Sequence, residues 1–219
     1  MIDFPFSAIA WQLLLALRWT VLLSLLAFIG GGALGLLLLV LRLGANPWPR
    51  RCIQLYVQIF QGTPLLMQLF LVYFGLPMLG LDTPPLLAAG LCLALYAGAF
   101  LCEIWRGCVE SIPRGQWEAS SSLALNRYEQ LRHVILPQAA RMALAPTAGF
   151  LVQVIKGTAL ASVIGFVEIT KAGQMMANVT HQPFLIYGCV ALLYFALCYP
   201  VSLWSRHLEH SMRRPAPRP

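Results

Sequence analysis

Long apolar stretches separated by short polar segments dominate this chain. Charge is absent from Trp19–Leu41, Cys52–Leu81, Thr83–Cys102 and Ala172–Ser205, and a fifth stretch, Met142–Val167, is interrupted only by Lys156. Each reaches the roughly 20 residues that a helix needs to cross a bilayer. The pattern predicts an all-α polytopic membrane protein of about five transmembrane helices, at residues 17–42, 53–80, 85–106, 141–166 and 183–205. Residues 1–11 form a short segment outside the bilayer, 12–211 the transmembrane domain and 212–219 a tail. An odd number of spans puts the two termini on opposite sides.

Two apolar stretches carry internal punctuation. "GGGALG", Gly30–Gly35, sets small residues in the first span, where a neighbouring helix can approach closely. "QGTPLL", Gln61–Leu66, puts Gly62 and Pro64 in one turn of the second span. That turn should bend or break the helix, and at membrane depth the freed backbone groups must face protein or water.

Between spans three and four the pattern changes: residues 107–140 are polar and charged in an otherwise apolar chain. Pro113 starts a helix over Arg114–Leu125, Asn126 stops it, and a second short helix runs from Arg127 to a break at Pro137. The first helix presents the small residues Ala119, Ser120, Ser122 and Ala124, a slim surface that fits a groove in another protein. The second is amphipathic, with Leu131, Val134 and Ile135 on one side and Arg127, Glu129 and Arg132 on others.

Composition agrees with the pattern. Of 219 residues 59% are apolar and 11% charged, against about 25% charged in a soluble domain, and the mean hydropathy is +0.72. The net charge of +7 does not indicate nucleic acid, because the basic residues are dispersed among short loops without interleaved aromatics. It gives orientation instead. Arg42, Arg50 and Arg51, then Arg106, Arg114, Arg127, Arg132 and Arg141, then Arg206, Arg213, Arg214 and Arg218 mark three segments as cytoplasmic by the positive-inside rule. The N-terminus, the Asp82 turn and the Glu168–His181 loop then lie on the periplasmic side. Six cysteines without CxxC or His-paired spacing read as packing residues, and no metal site is expected.

The central segment carries a resemblance. "EASSSLALNRYEQLRHVILP" resembles the EAA loop of binding-protein-dependent ABC importer permeases, E-A-A, three residues, G, nine residues, I, one residue, L-P. Glu118, Ala119, Leu136 and Pro137 match, with Ser120 for the second Ala, Ala124 for the Gly and Val134 for the Ile. "IPRGQWEA", "QGTPLLMQLFLVYFGLP" and "VIKGTALASVIGFVEIT" resemble segments of the polar amino acid uptake subfamily, with Gln61 for its usual Arg, Gly157 for its Asp and Ala159 for its Ser. The resemblance implies an inner-membrane permease that imports a polar amino acid. As partners it implies a cytoplasmic ABC ATPase dimer, a periplasmic amino-acid-binding protein, and a second permease copy or homologue. It implies ATPase coupling through Gly115, Glu118, Ala119, Ser120, Ala124 and Pro137. Ala124 takes a left-handed backbone less readily than the Gly it replaces.

Charges within spans are functional hypotheses by default. Lys156, half-way along span four with Gln153 and Thr158 nearby, either lines the substrate path or braces it. Glu103 and Arg106 share a helix face and can pair; alternatively Glu103 meets substrate, on a stripe with Tyr96 and Ala99. Gly62, Thr63 and Pro64 complete the expected path. No catalytic residues are expected: Ser120–Ser122 lack a nucleophile elbow, and with only Lys156 and Lys171 there is no phosphate-binding G-x-x-x-x-G-K-[ST] loop. The chain therefore needs no cofactor of its own, and ATP would be used by a separate polypeptide. A secondary transporter and an ATPase-binding scaffold are the alternatives, the former short of ion-coupling groups.

Overall fold

A computed structural model describes residues 5–44 and 46–212, and all regular structure among them is helical. The helices are α1 (Phe6–Leu43), α2 (Pro47–Gly62), α3 (Leu65–Met78), α4 (Pro85–Glu110), α5 (Arg114–Ser122), α6 (Arg127–Glu129), α7 (Leu136–Gly157), α8 (Ile169–Thr180) and α9 (Pro183–Met212). A π-helical turn, Gln130–Ile135, joins α6 to α7, and a 3-10 helix, Thr158–Ile164, follows α7. Four continuous helical segments are long and apolar enough to span a membrane; α2 and α3 together make a fifth candidate, bent by 107° at their junction.

Packing centres on α1 against α4. The predicted close approach is made by Gly31 and Gly35, four residues apart on one face. A Cβ on Gly31 would lie 2.4 Å from the Ala97 Cβ, so a side chain there would push α4 away, and one on Gly35 would press on the Gly98 carbonyl at 3.1 Å. Leu23, Ala27, Ala89, Cys92, Leu101 and Val154 fill the core between α1, α4 and α7. The outer faces remain apolar: Leu26, Ile29 and Leu37 on α1 and Leu192 and Phe195 on α9 are exposed, as expected of lipid-facing or subunit-facing surfaces.

Three expectations need correction. Of the segment expected ahead of the first span, residues 6–11 are not separate from it, since α1 begins at Phe6 and runs unbroken through Gln12; residues 1–4 lie outside the described residues. Ile9, Leu13 and Ala16 recur at helical spacing and pack on Ile169, Ala172 and Ile186, which draws these turns into the fold. The second loop helix does not stop at Pro137; it continues as α7. The π-helical turn before Pro137 bonds the Leu136 N–H to the Leu131 carbonyl, five residues back. That wider turn makes room for a ring that would strike the carbonyl four residues earlier. Asn126 does not end α5 either, but begins α6, in a reciprocal capping box with Glu129.

Candidate functional site

Two places combine chemistry with exposure: the loop from α5 to α6, and the region where two broken spans meet.

α5 ends earlier than its sequence suggests, at Ser122. The Leu125 N–H reaches the Ser120 carbonyl at 3.3 Å and the Ala124 N–H the Ser121 carbonyl at 2.9 Å. This paired closure requires a left-handed residue at Ala124, whose φ is +54°. The residue that replaces the motif glycine therefore holds the glycine conformation, at a cost of about 1–2 kcal/mol. Gln130 braces the turn, its Nε2 donating to the Ser121 hydroxyl and the Leu125 carbonyl. Trp117, Ile112, Val109, Ile135 and Ala139 seat α5 on α4 and α7. Gly115, Glu118, Ala119 and Ser122 face outward, continued by Leu123 and Tyr128, 75% and 66% exposed. Ser120 is turned the other way, buried and donating to the Trp117 carbonyl, so it forms no part of the outer face. Pro137 also belongs to the loop's base, as the second residue of α7.

The second place lies within the spans. α2 stops at Gly62, Thr63 is extended with φ −116° and ψ 145°, and Pro64 caps α3. Extended backbone is what a residue before proline prefers. Gly62, Thr63 and Pro64 are exposed, and a Cβ on Gly62 would meet nothing within 4 Å. Next to this break, Leu65 packs on Gly157, where α7 gives way to the 3-10 helix; a Cβ on Gly157 would lie 3.3 Å from the Leu65 Cδ2. The two breaks thus touch; Lys156 precedes Gly157 in sequence, and its side chain lies toward α9.

Lys156 and Gln153 are exposed on α7. Lys156 lines a groove of about 440 Å³ toward α9 with Tyr194, Tyr199, Ser202 and Arg206, and among the described residues no carboxylate lines it. Thr158, expected beside Lys156 as a polar neighbour, is fully buried and donates to the Ile155 carbonyl at 2.7 Å.

Glu103 stands apart from this groove. Its Oε2 accepts from Arg42 of α1 at 2.7 Å, and its Oε1 from the Nε of Arg106 at 2.9 Å, while Arg106 also pairs with Glu110. Both carboxylate oxygens are engaged, Oε2 tying α1 to α4 and Oε1 in a pair within α4. The suggested wall with Tyr96 and Ala99 does not form: Ala99 is buried near Leu39 and Val57, and Tyr96 packs on Phe100 and Phe150.

Glu168 is the functional-looking group whose setting the sequence misplaced. Read as an exposed loop residue, it is completely buried. It caps α8, accepting from the N–H groups of Thr170 and Lys171 at 2.9 and 2.8 Å, and from the Tyr194 hydroxyl at 2.7 Å. Burial raises its pKa from the ordinary value, against the opposing hydrogen bonds from Thr170, Tyr194 and Lys171.

Residues 31–214 match the family described as the inner membrane component of binding-protein-dependent transport systems. The chain belongs to this family. Among relatives of the permease, a probable amino-acid ABC transporter permease of Bacillus subtilis (strain 168) is 32% identical over 191 residues, 87% of this chain and 84% of that one. The glutamine transport system permease GlnP of Escherichia coli (strain K12) is 34% identical over 198 residues, 90% of each. The permease also superposes on a chain of the crystal structure of an amino acid ABC transporter with histidines, with TM-score 0.89 and 29% identity, covering 96% of this chain and 99% of that one. An inward-facing MetNI methionine transporter structure shares the fold at TM-score 0.69 and 23% identity.

Proposed function

We propose that this permease moves a polar amino acid from the periplasm to the cytoplasm, with α5 as the helix through which a separate ATPase drives it. The observation that carries the reading is the outward face of α5. It combines one carboxylate, Glu118, with the small residues Gly115, Ala119 and Ser122, and it is continued past its end by two exposed large side chains, Leu123 and, on α6, Tyr128. Small residues admit close approach, and exposed large apolar groups at a polar loop suit a partner's pocket. The arginine distribution puts this loop and the C-terminus in the cytoplasm and the N-terminus in the periplasm. An ATPase dimer binds there, and a binding protein delivers substrate on the opposite side, to a pore made with a second permease copy or homologue.

The solute path runs past the meeting point of the two breaks. Gly62 is helical rather than left-handed, and among the described residues nothing lies within 4 Å of where its Cβ would be. Its missing side chain keeps that space open for solute. Lys156, in a groove without a carboxylate, suits the carboxylate that every amino acid carries. Discontinuous helices near the midplane commonly present backbone groups to solute in this way.

Uptake of labelled amino acids into proteoliposomes tests the reading, with and without the ATPase and the loaded binding protein. The expected result is accumulation only when ATP, ATPase and binding protein are all present. Accumulation driven by an ion gradient alone, or solute binding without uptake, would overturn it.

A further inference from the structure

A broken transmembrane helix leaves carbonyls of its last turn without partners, and in a bilayer no water replaces them. At the junction of α2 and α3 two such carbonyls are met by side chains, those of Gln68 and Thr63. The Nε2 of Gln68 donates toward three oxygens: the Phe60 carbonyl at 2.9 Å, the Thr63 carbonyl at 3.1 Å and the Thr63 hydroxyl at 2.8 Å. The Thr63 hydroxyl in turn donates to the Ile59 carbonyl at 2.7 Å. Gln68 and Thr63 form a relay that stitches the last turn of α2 to the first turn of α3.

The orientation of the amide is fixed by its surroundings. Reversing it would set an oxygen against two carbonyls. Gln68 is only 8% exposed, and its Oε1 is buried without a hydrogen-bond partner. Such an orphan is costly. A glutamine present merely to fill space there would be replaced at no loss by leucine or methionine, which carry no orphan. The donor end is the reason for the amide.

We infer that Gln68 is the positioning residue of the broken span: it holds the Gly62–Pro64 turn at its angle and thereby seats Leu65 on Gly157, the residue after Lys156. The link to transport rests on the proposed path past these breaks; the clamp itself does not. Leu65 follows Pro64 directly, so any swing of α3 moves the contact with Gly157 at once.

The test uses the full permease assembled with its ATPase and binding protein. It compares wild type with Gln68→Met, which keeps the size but loses the donors, and Gln68→His, whose ring N–H reaches a similar depth. Two quantities are read: amino acid taken up per ATP hydrolysed, and amide hydrogen exchange in residues 57–68. Gln68→Met is expected to lower the transport ratio about tenfold, the scale of one lost buried partner, and to speed exchange in that segment; Gln68→His recovers most of both. Wild-type values for both in Gln68→Met overturn the proposal. Should Gln68→Met fail to assemble, Gln68→His against Gln68→Asn, too short to reach, decides it: a difference in both readings supports the clamp and equal values overturn it. Faster exchange in Gln68→Met, with a wild type that moves no amino acid, sinks the proposed path and leaves the clamp standing. Unchanged exchange, with a wild type that transports, sinks the clamp and leaves the path.

Discussion

The molecule contains two abrupt chain reversals that solve the same problem by different means. At Leu123–Asn126 the end of α5 is closed by its own backbone, with the Leu125 and Ala124 N–H groups returning to Ser120 and Ser121, and the device requires a left-handed residue. At Gly62–Pro64 no residue is left-handed, and carbonyls at the break are met by the Gln68 and Thr63 side chains. The difference follows from Pro64, which has no N–H to return to α2 and holds Thr63 extended, so carbonyls at the end of α2 turn to side chains. The loop break is therefore costly in conformation, and the membrane break in the burial of an amide.

Substitutions at each reversal separate these costs. The largest effect is expected from Gly62→Leu, which fills the space before the membrane break: uptake falls by about tenfold or more, while the melting temperature stays within about 2 °C because no neighbour is displaced. Thr63→Val keeps the shape and removes the relay; it should destabilise the detergent-purified protein by about 2 kcal/mol in a thermal unfolding assay. Ala124→Val puts a β-branched residue at positive φ and should cost about 1–2 kcal/mol in the same assay. The smallest effect has the opposite sign: Ala124→Gly relieves the left-handed alanine and should stabilise by about 0.5–1 kcal/mol. Equal responses to glycine at Ala124 and to valine at Thr63 would erase the distinction between the two breaks.

Much of this contrast is legible in the sequence, because local rules produce it. Charge-free runs identify the spans, Gly62 with Pro64 announces the membrane break, and the motif spacing marks Ala124 as a glycine position. What escapes is tertiary. The ion pair of Arg42 with Glu103 joins residues 61 apart in sequence and has no local signal. Glu168 looks like a solvated loop residue until α1, α8 and α9 close over it, with the Ile169 N–H donating to the Thr20 hydroxyl. The continuity of α7 through Pro137 depends on a π-helical turn that proline statistics argue against. The outward extension of α1 had a readable signal in the spacing of Ile9, Leu13, Ala16 and Thr20, obscured by the charge at Arg18. Ser120 shows the limit of composition: a small residue among small residues, it is turned into the fold by the helix phase alone.

The central claim is that Glu118 on the outer face of α5 links this chain to its ATPase. It is tested most directly by comparing wild type with Glu118→Arg in proteoliposomes that hold the ATPase and substrate-loaded binding protein, reading uptake and stimulated ATP hydrolysis together. Glu118 is exposed, so the substitution should leave the fold intact. The account predicts that both rates fall by about tenfold or more, as expected when a charge at an interface is reversed. Wild-type uptake and wild-type stimulated hydrolysis in Glu118→Arg would contradict it.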